Sequence, residues 1–227
     1  MPTRVSAAAL LLLVLSGIAF WTPYLSRPGE VSAYVHVHAV LGVMWLLLLT
    51  VQPLLIRASM YSQHRVLGRI GVVLGAVFAI SGVLMAHKTL VGMGADQFAR
   101  EGRFVYLPLI MAVIFAAALA MAVLFRASPA VHSRFMAATM LPLLDPVIAR
   151  LLFFHAPPLP VQYLYQVPAF VLTVVVLTFL ATSAPAAANG RAAFGRFAIG
   201  TTLALLGFFV IPGTSAWLTF TDWFRAI

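Results

Sequence analysis

Apolar positions along this chain come in long unbroken runs, without the two-residue alternation that marks a half-buried strand. Seven runs approach or reach the roughly 20 residues a helix needs to cross a hydrocarbon core of about 30 Å. They cover about 5 to 25, 34 to 56, 65 to 87, 104 to 126, 132 to 154, 161 to 182 and 194 to 212. The pattern predicts an all-α fold, a polytopic membrane helix bundle of about seven transmembrane helices that makes one integral membrane domain over residues 1–227. Between the runs lie Ser26 to Gly29, Arg57 to Gln63, a polar stretch from Lys88 to Arg103, Arg126 to Pro129, Ala156 to Pro160 and a small-residue linker from Thr182 to Ala193. None has room for a second domain. Arg4 ahead of Val5 to Phe20 imitates a signal peptide. No small-residue cleavage site closes that run, and Trp21 and Tyr24 suit a membrane interface, so a retained first helix is expected.

Composition sharpens the membrane reading, with 63% of residues hydrophobic and 8% charged. Fourteen Lys and Arg against five Asp and Glu give a net charge of +9. These charges are scattered over short connections without interleaved aromatics, which is a topology signal; no nucleic-acid partner is expected. With the N-terminus inside, the inner side holds Arg4, Arg57, Arg65, Arg69, Arg126, Arg134, Arg191 and Arg196, and the outer side holds Arg27, Lys88, Arg100, Arg103, Arg150 and Arg225. That excess predicts a membrane protein with its N-terminus inside and its C-terminus outside. Cysteine is absent, which leaves His, Met and oxygen as ligands for any metal or cofactor. No Walker loop, dinucleotide fingerprint or nucleophile elbow occurs, and the motifs leave open whether the chain is an enzyme.

The six histidines fall near segment ends and sort into two layers. His64 opens the third segment and His132 the fifth, so two parallel helices present imidazoles at one inner level, the arrangement a bis-His haem b or another His-held metal requires. Arg65 and Arg69 follow His64, and Arg134 follows His132. Guanidinium groups there suit haem propionates or lipid phosphates. Gly68, Gly71 and Gly75 recur on the face of the third segment that carries His64, where a neighbouring backbone or a planar macrocycle could approach closely.

The outer layer contains His36, His38, His87 and His155. His38 shares a stripe of the second segment with Gln52, 14 residues or about 21 Å further along. Asp145, between Pro142 and Pro146 in the fifth segment, is the acidic residue placed inside a span, and Arg150 follows it. A carboxylate at lipid depth marks a proton relay, a substrate contact or an ion pair, and the prolines let the helix bend around a polar cavity. His64 and His87 are 23 residues apart, as are His132 and His155. That is about 35 Å along a helix, so a single inner cofactor site is expected.

The motifs His64-Arg65-x2-Gly68-Arg69 and His132-x-Arg134-Phe135-Met136, with His38-x3-Gly42, Gln52-x4-Arg57 and Arg150, resemble a family of bacterial multi-pass membrane proteins of unknown function with H-R-x-x-G-R and H-x-R-[FW]-M motifs. The resemblance covers about residues 34–155. More loosely, histidines at helix ends are similar to the transmembrane b-type cytochromes, although a 13- or 14-residue His pair on one helix is missing. That similarity implies a haem b protein of redox or electron-transfer type, with His64 and His132 as axial ligands, Arg65, Arg69 and Arg134 at the propionates, and a quinone or another membrane electron carrier as partner. The alternative is a non-enzymatic transporter or membrane assembly protein with a polar pathway around Asp145 and Gln52.

Overall fold

The computed structural model describes residues 2–182 and 188–227, so part of the linker expected from Thr182 to Ala193 lies outside it. The described backbone is helical, with no strand. Ten α-helices follow in order: α1 Pro2–Ala19, α2 Ala33–Arg57, α3 Tyr61–Gly92, α4 Ala95–Glu101, α5 Tyr106–Leu124, α6 Pro129–Ala138, α7 Leu141–His155, α8 Val167–Thr182, α9 Ala188–Val210 and α10 Ser215–Ala226. Six stretches are long and apolar enough to cross a membrane, namely Ala33–Arg57, Tyr61–Gly92, Ala95–Leu124, Pro129–His155, Gln162–Thr182 and Gly190–Gly213; Arg4–Ala19 is apolar but shorter. The chain is a polytopic helical membrane protein, and in its first segment the α-helix ends at Ala19 and a π-helical turn, Trp21–Leu25, continues to the expected end.

The two faces of α3 show why the bundle needs lipid around it. Val66, Ile70, Val73, Val77, Ile80 and Leu84 recur at three- and four-residue steps and are exposed. An apolar stripe of that length in contact with water would be an aggregation surface; in hydrocarbon it costs nothing. The opposite face carries Gly71, Gly75, Phe78, Ser81, Gly82 and Ala86, all buried.

Helix α5 is the hub, packing against α3, α6, α7 and α9, while α1 joins α2 to α7 and α8 joins α7 to α9. Polar bonds pin the hub and its surroundings. The Tyr106 hydroxyl donates to the Ala204 carbonyl at 2.8 Å, tying α5 to α9, and the Ser6 hydroxyl donates to the Thr50 carbonyl at 2.8 Å, tying α1 to α2.

The link from α2 to α3 sets the position of His64. Ser59 has φ of 58°, the left-handed conformation that closes a helix. Its N–H donates to the Ile56 carbonyl at 3.0 Å and the Met60 N–H to the Leu55 carbonyl at 2.8 Å, the paired bonds of a Schellman cap. Helix α3 therefore starts at Tyr61 and runs antiparallel to α2, with His64 in its first turn.

The fifth segment is broken, as its prolines allow. Helix α6 ends at Ala138 and α7 begins at Leu141 with Pro142 in its first turn. Thr139 at the break is fully buried; its hydroxyl donates to the Met136 carbonyl at 2.6 Å and accepts from the Trp45 indole N–H at 3.2 Å. Helix α10 lies beyond the last expected span. Thr214 caps it by accepting from the Trp217 N–H, and its buried Trp217, Thr221 and Phe224 face the end of α3.

Candidate functional sites

At one end of the bundle the rings of His64 on α3 and His132 on α6 stand face to edge, their centroids 6.5 Å apart and their planes at 88°. The two helices are not each other's main neighbours, since α3 packs along α2 and α5 and α6 packs on α5. Each imidazole is held from its own side. His132 Nδ1 lies 2.8 Å from the carbonyl of Ala122 in the last turn of α5, an oxygen that helix termination leaves without an amide partner. A carbonyl only accepts, so Nδ1 carries the proton and Nε2 of the neutral ring is free for a ligand. His64 is held through its backbone, its carbonyl accepting from Gln52 Nε2 at 3.3 Å. His64 Nδ1 and Gln52 Oε1 are both buried without a hydrogen-bond partner.

The residues expected around this pair divide. Gly68 lies at its level, with the Gln52 amide nitrogen 3.6 Å from where a Cβ would stand. Gly71 and Gly75 do not offer a flat face to a macrocycle. A Cβ at Gly71 would meet Leu48 at 2.7 Å, and one at Gly75 would meet Leu119 at 2.6 Å and the Trp45 ring at 2.9 Å. That part of the stripe brings α2 and α5 onto α3, which corrects its expected cofactor role. Arg65 and Arg69 are exposed, whereas Arg134 is 1% exposed and belongs to the bundle interior instead of an interface. Among the described residues no three His, Asp or Glu side chains converge as metal ligands.

The other end holds a cavity of about 560 Å³ whose lining includes His38, Glu101, Asp145, Arg150, Gln162 and Gln166. His38 Nδ1 lies 2.8 Å from the Ser81 hydroxyl oxygen, and that hydroxyl donates its one proton to the Phe78 carbonyl at 2.7 Å. His38 Nδ1–H is therefore the donor, and the neutral ring keeps Nε2 as an acceptor. His38 packs beside Gly82, where a Cβ would stand 3.7 Å from His38 Cε1, an ordinary contact. Asp145 is 4% exposed and its Oδ1 has no partner; Gln166 is 9% exposed and its Oε1 has none.

The ion pair considered for Asp145 and Arg150 is not formed. Arg150 Nη1 donates to the Pro146 carbonyl at 3.1 Å and the guanidinium sits 4.6 Å from the Phe20 ring centre. Among the described residues the ion pair present is Arg27–Glu30, at 3.7 Å on the surface.

The chain matches no family model, no curated protein and no solved structure.

Three further residues placed in the outer layer or pathway lie elsewhere. Gln52 belongs to the His64 end. Phe78 and Phe115 close the cavity on that side, and Trp45, fully buried, packs edge-on against Phe115 at 4.9 Å behind them. His87 packs 5.1 Å from Phe224 of α10 and does not line the cavity. His155 is exposed and borders a separate hollow with Trp21 and Thr22. Depth along a helix follows from counting residues, whereas direction around it depends on neighbours, which is why His38 and Asp145 meet one cavity and His87 and His155 do not. Ser81 was missed, because a single Ser within an apolar run carries no signal of its partner.

Proposed function

We propose that the chain is a membrane haem b protein of redox or electron-transfer type, with His64 and His132 as the two axial ligands. The observation that carries the reading is the ring pair. The rings of His64 and His132 lie with their centres 6.5 Å apart, close enough that the two imidazoles would hold one metal between them. The donor set fits the group in two further ways. His132 keeps Nε2 available because Ala122 takes Nδ1–H, and His64 Nδ1 is a buried polar atom that no protein group satisfies.

Arg65 beside His64 and Arg69 one turn on, both exposed, are the cations assigned to the propionates. When bound, haem supplies a reversible one-electron couple. The chain's own part is to fix both imidazoles, keep the surroundings apolar through Leu48, Leu119 and Trp45, and place the pair at one end of the bundle. A quinone or another membrane electron carrier is the partner class assigned to such a centre.

The reading also assigns the bacterial cytoplasmic membrane, with the His64 end inside. Reporter fusions in the 57 to 63 turn and after Arg126 are expected to report a cytoplasmic position and a fusion between Lys88 and Arg103 an external one. The reverse pattern would overturn the orientation. The function itself is tested by the visible spectrum of detergent-purified protein from haem-replete cells. Absorption bands that sharpen on dithionite reduction are expected, and a colourless preparation would contradict the reading.

A further inference from the structure

The cavity at the His38 end is independent of the histidine pair and has its own ligand chemistry. Its volume of about 560 Å³ lies within the roughly 300–1,000 Å³ of pockets that enclose small organic molecules. Two of the residues lining it, Asp145 and Gln166, each carry a buried acceptor, Oδ1 and Oε1, that has no donor. Leaving such atoms unsatisfied is costly, more so for a charged group. The missing partner is therefore a donor.

Charge narrows it further. Asp145 and Glu101 line the cavity against one guanidinium, Arg150, which leaves a net negative charge with His38 neutral. Arg150 is turned to the Pro146 carbonyl and the Phe20 ring and makes no ion pair with Asp145. The walls are aromatic: Phe20, Phe78, Phe104, Phe115, Phe153 and Tyr165. Tyr165 has its hydroxyl occupied by the Leu159 N–H at 2.9 Å, so it offers the cavity its ring. Buried acceptors, an acidic side chain that makes no ion pair and ring faces together match one chemical class, because an ammonium group has N–H donors, a positive charge and an attraction to aromatic faces.

We infer that this cavity is a binding site for an organic monocation of the arylalkylammonium class, whose N–H groups donate to Asp145 Oδ1 and Gln166 Oε1 while its apolar part lies among the phenylalanine rings. Arylalkylammonium compounds reach such a site from the aqueous face or from the lipid interface, and the recognition chemistry is the same for both.

The test is isothermal titration of the full chain in detergent with 2-phenylethylammonium, against 2-phenylethanol, hydroquinone and 3-phenylpropanoate. The ammonium is expected to bind at least tenfold more tightly than each of the other three. Asp145→Asn, which keeps the shape and removes the charge, is expected to weaken ammonium binding at least tenfold and leave the alcohol unchanged. Gln166→Leu is expected to weaken it severalfold by removing the second acceptor. Equal or tighter binding of the alcohol or hydroquinone would overturn the inference in favour of a neutral hydroxyl donor, and preference for the carboxylate would assign the site to Arg150. An ammonium affinity unchanged in Asp145→Asn would also overturn it. If Asp145→Asn fails to fold, the ranking of the four probes on the parent protein decides. None of these readouts uses haem, so the inference and the haem reading fail separately.

Discussion

Replacing either His64 or His132 with alanine is expected to abolish the haem spectrum or convert it to that of a five-coordinate iron, while the protein still inserts and purifies. Each ring would be one of two iron ligands, so removing one cannot be compensated from within the pair, and among the described residues no further His, Asp or Glu joins it as a third ligand. Insertion should survive because the apolar segments and the arginines around them direct it, not the imidazoles. His132→Ala carries a structural cost as well, since it leaves the Ala122 carbonyl without its donor at the end of α5. That loss is about 1 kcal/mol for an ordinary hydrogen bond. His132→Asn separates the two effects, because its amide can donate to that carbonyl without ligating iron; it should restore stability and leave the spectrum lost. Asp145→Asn serves as the control. It lies at the other end of the bundle, beyond Trp45, Phe78 and Phe115, and should leave the haem bands intact.

The second large effect is expected at Gly75. An added Cβ would stand 2.6 Å from Leu119 Cδ2 and 2.9 Å from the Trp45 ring. Leu119 could turn aside, but Trp45 is fully buried, wedged against Phe115 and tied through its indole N–H to Thr139. Gly75→Ala should therefore destabilise by about 1–3 kcal/mol, a fall in melting temperature of roughly 2–4 °C per kcal/mol for a chain of this size. Gly75→Leu should prevent recovery of folded protein. Gly17→Ala, where a Cβ meets nothing within 4 Å, should be neutral or slightly stabilising. A Gly75→Ala variant with unchanged melting temperature and a shifted haem spectrum would restore the cofactor role that the packing argues against.

The bundle was legible in the sequence because a bilayer imposes a length rule on every crossing, and each of the seven expected runs is helical. What was not legible obeys other rules. Helix α3 extends from Tyr61 to Gly92, beyond the expected 65 to 87, because its polar first turn follows directly from the cap at Ser59 and needs no lipid contact. Helix α10 escaped because its twelve residues form an amphipathic helix instead of an apolar run. The period was visible in Trp217, Thr221 and Phe224. Breaking of the fifth segment was foreseeable from Pro142 and Pro146, but its place at Thr139 depends on Trp45 from another helix.

The candidate sites followed the same division. His64 and His132 could be matched because each opens its own segment, so counting alone puts them at one depth. The cavity could not, because Gln166, Glu101 and Phe20 reach it from elements far apart in sequence. The small-residue stripe was recognised on α3, yet sequence could not tell a macrocycle from the side chains of Leu48, Leu119 and Trp45 as its occupant.

The central claim is a pair of axial imidazoles, and low-temperature EPR of the oxidised, purified protein tests it most directly. Two nitrogen ligands make ferric haem low-spin. The account predicts one such low-spin species, lost in His64→Ala and in His132→Ala. A high-spin signal in the parent protein, or no haem signal in protein prepared from haem-replete cells, would contradict it.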